Sequence, residues 1–405
     1  MNDCPTYYFD NNATTRVAPE VIEAMLPFLR DFWGNPSSAY SFGTYVAGEI
    51  ERAREKVAAL IDAEPKEIVF TSCGTESNNA VLESALAAQP GKRHIVTSSV
   101  EHSGIIKHCE VLQKRGVEVT FLQVDADGML DLHLLDQSIR HDTAIVSIMW
   151  ANNETGMIFP VDEIAAICHS RNVPFHTDAT QVPGKLKMDV RGIGLDYLSL
   201  SAHKLHAPKG IGMLYVKRRA KFQPYIIGGP QEHGRRGGTE NVASVVGFGR
   251  AAELAVAHLH DENTRVRALR DRLENSILGG IPNTIRIGTK EPRLPNTSNI
   301  AFESVEAEGI LMALDQLGIC ASSGSACTTG SLHPSHVLTA MGIKPARAKG
   351  CVRFSLGIYN TEGEVDYVLS HLPEVIARLR EASPHHSHTK TRESKHTAET
   401  VRHAV

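Results

Sequence analysis

Aromatic residues are scarce in this chain, 6% of 405 residues with only two tryptophans, and its cysteines never pair as CxxC. The seven cysteines, at positions 4, 73, 109, 168, 320, 327 and 351, are an odd number without metal-ligand spacing. That argues against a disulfide framework and against a zinc knuckle, and predicts free thiols in a reducing compartment. No apolar run approaches the roughly 20 residues that span a bilayer. The opening MNDCPTYYFD has neither the basic nor the apolar stretch of a signal peptide. The expectation is a cytoplasmic protein without a membrane partner. Neither sign of charge dominates, with a formal net charge of −4, so nothing global favours nucleic acid or an anionic lipid surface. No internal repeat is evident. What is present is ordinary soluble composition, 42% hydrophobic and 22% charged, over a length that suits two domains.

Between about residues 66 and 216, β-rich runs alternate with helix-like ones. EIVFTS is followed by SNNAVLESALAAQ, HIVTSS by GIIKHCEVLQKRG, then come VTFLQV, AIVSIMW, VDEIAAICHSRN and PFHTDA, with DYLSLSA and GIGMLYV as later strands. Strands separated by helical segments predict an α/β domain with a mainly parallel sheet between helices. An amphipathic pattern from about 242 to 277 leads to the strand-like NTSNIAF and VRFSLG, which predict a smaller α/β domain. The division expected is a large domain over 13–259, a small one built from 1–12 and 260–382, and a polar tail over 383–405. That tail carries five histidines; its composition predicts disorder, with metal holding as the less favoured role. YYFDNNATTRVAPEVIEAMLPFL reads as a loop and then a helix with Pro19 and Glu20 in its first turn, able to pack on either domain.

Several residues in this frame can carry chemistry. Lys204 follows a strand-like run and precedes a Pro-Gly turn, where a desolvated amine can condense with an aldehyde cofactor; most lysines are instead solvated charges. Asp178 ends another strand, where a carboxylate can hold a pyridinium nitrogen of pyridoxal phosphate (PLP) or merely cap a turn. In TSCGTESNNAVL the backbone N–H groups at Gly74 and Thr75 can cradle a phosphate at a helix N-terminus, although no Walker A lysine follows. His102 can stack on a cofactor ring and move protons, or be structural. Asn153 can hydrogen-bond a ring hydroxyl or a carboxylate, or form a turn. Arg353, in the rigid VRFSLG, offers the planar fork that an α-carboxylate needs; the alternative is an arginine paired with a neighbouring acid.

Taken together and in order, DNNATT, GNPSS, TSCGTES, WANNETG, FHTDATQ, SLSAHKLHAPKGIG, GRRGGTEN, SSGSACTTGSLHPSHVL and VRFSLG closely resemble the cysteine desulfurases. Within them the likeness is to the NifS type linked to nitrogenase maturation, over roughly residues 6 to 382. The resemblance implies the fold-type I PLP-dependent transferase architecture of the class V aminotransferases, a homodimer, L-cysteine as substrate and an iron–sulfur scaffold protein as sulfur acceptor. Iron and metal binding come with that association, and no metal ligand is assigned. Carried over position by position, PLP sits on Lys204, Asp178 meets the pyridine nitrogen, Gln181 and Asn153 meet the ring oxygen, and His102 stacks on the ring. Gly74, Thr75, Ser201 and His203 bind the phosphate, with Thr239 reaching in from the partner subunit. Arg353 clamps the substrate carboxylate, with Asn153 also on the substrate side. Tyr40 stands where related sequences usually carry a histidine, and Ser103 and Gly104 follow His102 where proline and alanine are frequent. Neither position is one of the residues that hold PLP, so activity is expected to survive both.

Cys327 lies in SSGSACTTGS, a run with almost nothing apolar to bury. A thiolate on such a loop can attack the sulfur of a PLP-activated cysteine, take it as a persulfide and carry it to an acceptor while alanine leaves. Cys168 and Cys320 sit in apolar runs and read as buried. Two other readings compete. A housekeeping desulfurase, or a selenocysteine lyase or aminotransferase of the same fold, would share the cofactor set, and the lyase or aminotransferase would not need Cys327. HGRRGG at 233–238 could be a glycine-arginine nucleic-acid contact, but it is single and has no aromatic platform.

Overall fold

The computed structural model describes residues 5–323 and 335–382. After a two-residue strand, β1 (Tyr7–Tyr8), seven strands build the main sheet: β2 (Ile68–Thr71), β3 (His94–Ser98), β4 (Glu118–Leu122), β5 (Thr143–Ser147), β6 (Phe175–Asp178), β7 (Tyr197–Ser201) and β8 (Gly212–Val216). Their spatial order is β2-β8-β7-β6-β5-β3-β4. β7, β6, β5, β3 and β4 are parallel, and β8 alone runs against its neighbours β7 and β2. Most of these strands are buried along their whole length, as a sheet covered on both faces requires. Neighbouring residues serve opposite faces: Val96, Val146 and Met213 enter one core, while Ile95, Ile145 and Leu214 enter the other.

Four later strands, β9 (Thr284–Arg286), β10 (Thr297–Phe302), β11 (Ile319–Cys320) and β12 (Cys351–Ser355), form smaller sheets. β12, β10 and β9 are antiparallel in that order, and β11 pairs in parallel with β1. A separate core of Phe9, Ile300, Phe302, Val352, Phe354 and Val365 lies here. Phe9 thus joins this core while Ala18 and Val21 join that of the main sheet, so the chain crosses between the two within a few residues.

The helix Pro19–Arg30 packs, with Ser41–Leu60, on the long helix Val242–Gly280. A π-turn at Glu262–Val266 interrupts that helix. Gly249 lets it approach closely, since a Cβ there would stand 2.8 Å from Ala53 Cβ. By length and composition Val242–Gly280 would suffice to cross a membrane, which corrects the expectation that no apolar run approaches that length. Half of its most apolar window is buried inside the protein.

Candidate active site

The six co-directional strands of the main sheet end on one edge, where open α/β sheets bind ligands. β6 ends at Asp178, β7 at Ser201, and the turns after β2, β3 and β5 bring Gly74, His102 and Asn153 to that edge. Lys204 follows β7 in a short 3-10 turn, Ala202–Lys204.

The segment Asp10 to Thr15 ties these residues together. Lys204 Nζ donates to the carbonyl oxygens of Asn12 and Ala13 at 2.6 and 2.7 Å. Gln181 Nε2 donates to the same Asn12 oxygen at 3.0 Å. The Asn12 side-chain amide donates to the Asn153 carbonyl at 3.1 Å and to Thr297 Oγ1 at 2.8 Å. His203 Nδ1 lies 3.0 Å from Thr14 Oγ1. Burial, helped by the charges of Lys204, Lys209 and His102, pushes the His203 imidazole down to about 4, so it is neutral at pH 7 and suited to hydrogen bonding.

Gly74 opens the helix Gly74–Ala87, whose N-terminus has no side-chain cap. A Cβ on Gly74 would stand 3.0 Å from Thr180 Oγ1 and 3.4 Å from Ser201 Cβ, so a larger residue at this helix start would crowd Thr180. Unsatisfied N–H groups there are a ready anion site. His102 caps the next helix, Ser103–Lys114, with Nδ1 accepting the Gly104 N–H at 3.1 Å, which leaves Nε2 as the seat of the ring proton. Gly104 has a further use: a Cβ there would meet His102 Nδ1 at 3.2 Å and Thr75 Oγ1 at 3.3 Å. Gly104 therefore packs against two of the expected cofactor residues.

Asp178 is buried. Its Oδ2 accepts from Asn78 Nδ2 at 2.7 Å and its Oδ1 from the Thr180 N–H at 3.0 Å. Arg353 is buried at the middle of β12, an outer strand of the three-stranded sheet. Its Nη2 pairs with Asp10 Oδ1 at 2.6 Å and its Nη1 donates to the Asn153 carbonyl at 2.9 Å. The turn role weighed for Asn153 belongs to its neighbour: Asn152 Oδ1 accepts the N–H groups of Glu154 and Thr155.

Two buried carboxyls flank the site. Glu101 accepts from Ser98 Oγ and the Met149 N–H, and burial pushes it up to about 8. Burial also raises Glu154, against the Ser335 hydroxyl and the charges of His336, Arg353 and His102. Sequence reasoning missed both, along with Asp10, Asn12 and Asn78. The available signal was the dense run of polar residues in DNNATT and SNN, which no helix or strand face explains.

Thr239 is exposed on this chain, and no hydrogen bond joins it to the other site residues among those described. Cys327, and the tail from residue 383, lie outside the described residues. Cys168 is buried as expected, whereas Cys320 is only partly buried, because it sits in the short marginal strand β11. The arginines of HGRRGG turn inward: Arg235 donates to the Ile68 carbonyl and Arg236 pairs with Glu76. That disposition does not favour the nucleic-acid reading. Among the described residues no group of three or more His, Cys, Asp and Glu side chains is arranged to hold a metal ion.

Comparison with known proteins decides the family. Aminotransferase class-V matches residues 7–368. This chain belongs to that family. It is 53% identical over 377 residues to "Cysteine desulfurase 2" of Trichormus variabilis, covering 93% of this chain and 94% of that protein. It is 50% identical over 381 residues to "Cysteine desulfurase NifS" of Azotobacter vinelandii, covering 94% and 95%. Among solved structures, a "NIFS-LIKE PROTEIN" superposes with a TM-score of 0.86 at 38% identity, covering 92% of this chain and 99% of that one. "SspA in complex with cysteine" does so with a TM-score of 0.77 at 36% identity, covering 87% and 99%. This class-V family member is a PLP-dependent cysteine desulfurase acting on L-cysteine, with the fold-type I architecture the motifs implied.

The residues present fit PLP. The uncapped helix start at Gly74 suits its phosphate, Asp178 its ring nitrogen and Lys204 its aldehyde. Gln181 Oε1 is buried with no hydrogen-bond partner among the described residues, a polar atom that a ligand would satisfy. When bound, PLP supplies an electron sink. Around it, Asn78 and the Thr180 N–H hold the Asp178 side chain in place, and the Gly104 N–H fixes the His102 tautomer with the ring proton on Nε2.

Proposed function

We propose that this cysteine desulfurase is of the NifS type, acts as a homodimer in the cytoplasm, and passes sulfur to an iron–sulfur scaffold protein, with nitrogenase maturation as the destination. The observation that carries the subtype is the 50% identity, over nearly the whole chain, to the Azotobacter vinelandii protein named NifS. In this reading Lys204 holds PLP, Asp178, Gln181, Asn153 and His102 hold its ring, and Gly74, Thr75, Ser201, His203 and the partner's Thr239 hold its phosphate. Arg353 takes the substrate carboxylate. The large domain spans 13–259, and the small one takes in 1–12 and 260–382. Trp33 and Ile227 are large apolar side chains left 75% and 88% accessible, and burial of such side chains against a second copy is in keeping with a homodimer.

Cys327 is the sulfur acceptor. Its thiolate takes the sulfur of L-cysteine, an S–S bond forms as the Cβ–S bond breaks, and the carbon gains a proton to give alanine. The test incubates PLP-loaded enzyme with L-cysteine and a thiol reductant, and measures alanine and sulfide beside Cys327→Ala. Equal amounts from the wild type and loss of both in the variant are expected. A variant as active as the wild type removes Cys327 from the reaction and turns attention to selenocysteine. Deletion should impair nitrogenase while sparing other iron–sulfur enzymes; a fall in all of them would mark a housekeeping desulfurase.

A further inference from the structure

Arg353 already has a carboxylate. Asp10 Oδ1 stands 2.6 Å from its Nη2, and the Asn153 carbonyl takes its Nη1. The arginine side chain is 1% exposed and the aspartate side chain 17%, so the acid is the member of the pair that solvent reaches. The backbone fixes where Asp10 stands: it bridges Ser355, and the adjoining Asn11 N–H donates to the Ser355 carbonyl. Two and three residues further on, Asn12 and Ala13 hold Lys204. A guanidinium recognises a carboxylate through paired N–H groups. A substrate carboxylate arriving at Arg353 must therefore share the fork with Asp10 or displace it.

We propose that Asp10 is a positioning and specificity-determining residue that competes with the substrate's carboxylate for Arg353 and so keeps the site from retaining small carboxylates, the product alanine among them. This rests on reading Arg353 as the group that binds the substrate carboxylate. Between turnovers Asp10 compensates the charge of a buried cation. When a ligand carboxylate enters, the two anions repel across one guanidinium, and after screening this weakens retention by about tenfold. Both effects depend on the charge of Asp10 and not on its shape.

The holoenzyme tests this with Asp10→Asn, Asp10→Glu and Arg353→Gln. The readouts are KM and kcat for L-cysteine, inhibition by L-alanine, and the thermal midpoint against acetate concentration. Asp10→Asn keeps an oxygen for Nη2 and removes the charge. It is expected to lower KM and the alanine inhibition constant about tenfold without raising kcat, and acetate should raise its melting point but not that of the wild type. Asp10→Glu should stay close to the wild type. Weaker alanine binding in Asp10→Asn would mean that Asp10 only orients Arg353, and unchanged constants would mean that it does neither; each overturns the proposal. If Asp10→Asn gives no cooperative melt, Asp10→Ser removes the same charge and is held to the same outcomes. An Arg353→Gln enzyme with the wild-type KM would instead sink the reading of Arg353, whatever the Asp10 variants show.

Discussion

Replacing Asp178 by asparagine separates its charge from its shape. The carboxylate accepts from Asn78 Nδ2 at 2.7 Å and from the Thr180 N–H at 3.0 Å, so an asparagine amide in its place sets one donor against another. Asn78 can relieve this, because its own Oδ1 is buried without a partner among the described residues; turning that amide over presents an acceptor. The fold should then lose about 1 kcal/mol, one ordinary hydrogen bond, and melt only a few degrees lower. Function should suffer more. A hydrogen bond between a carboxylate and a protonated ring nitrogen is charge-assisted, worth about 1.5–3 kcal/mol, and losing it slows turnover about 10- to 100-fold. Alanine release from L-cysteine measures the rate, the visible absorbance of bound PLP measures retention, and a thermal melt controls for folding. Asp178→Asn with activity within threefold of the wild type and normal PLP retention would refute the assignment of Asp178 to the ring nitrogen.

Two further predictions concern buried charge. Glu232 joins Arg54 in a bidentate pair at 2.6 and 2.8 Å and also accepts the Phe70 N–H, with both side chains 3% exposed. Glu232→Gln should cost about 3–5 kcal/mol in denaturant unfolding, and a loss below about 1 kcal/mol would show that the pair does not secure the loop before Thr239. Burial pushes Glu101 from an ordinary value near 4.5 up to about 8. Its folded value exceeds its unfolded one, so its contribution is complete at pH values below about 4.5 and is lost as pH rises through about 8. Glu101→Gln keeps an oxygen for Ser98 and Met149 and should gain up to a few kcal/mol relative to the wild type between those limits. Parallel unfolding free energies for the two proteins at pH 5, 6.5 and 8 would contradict this.

The strands of the main sheet were legible because each is a short β-rich run closed by a turn and followed, in most cases, by a helix of the expected length. Gly74, His102, Asn153, Asp178 and Lys204 were legible for the same reason: a residue just past a strand in such a sheet belongs to the edge where ligands bind. Less legible was the span of Val242–Gly280, where the amphipathic pattern hides how much apolar surface two neighbouring helices take up.

Sequence alone determined the alternation of strand and helix, the family motifs and the residues able to bear chemistry, since these rest on local periodicity and residue type. Tertiary structure decided how they are joined. Asp10 meets Arg353 across 343 residues, and Asn12 meets Lys204 across 192. Nothing local to either end reports such pairings; they exist because the N-terminal segment leaves one core at Phe9, enters the other by Ala18, and carries its polar residues through the seam between them. The same packing made the Asn152 side chain the turn former and left the adjacent Asn153 to present its backbone carbonyl to Arg353, a division of roles between two identical residues that only their surroundings could make.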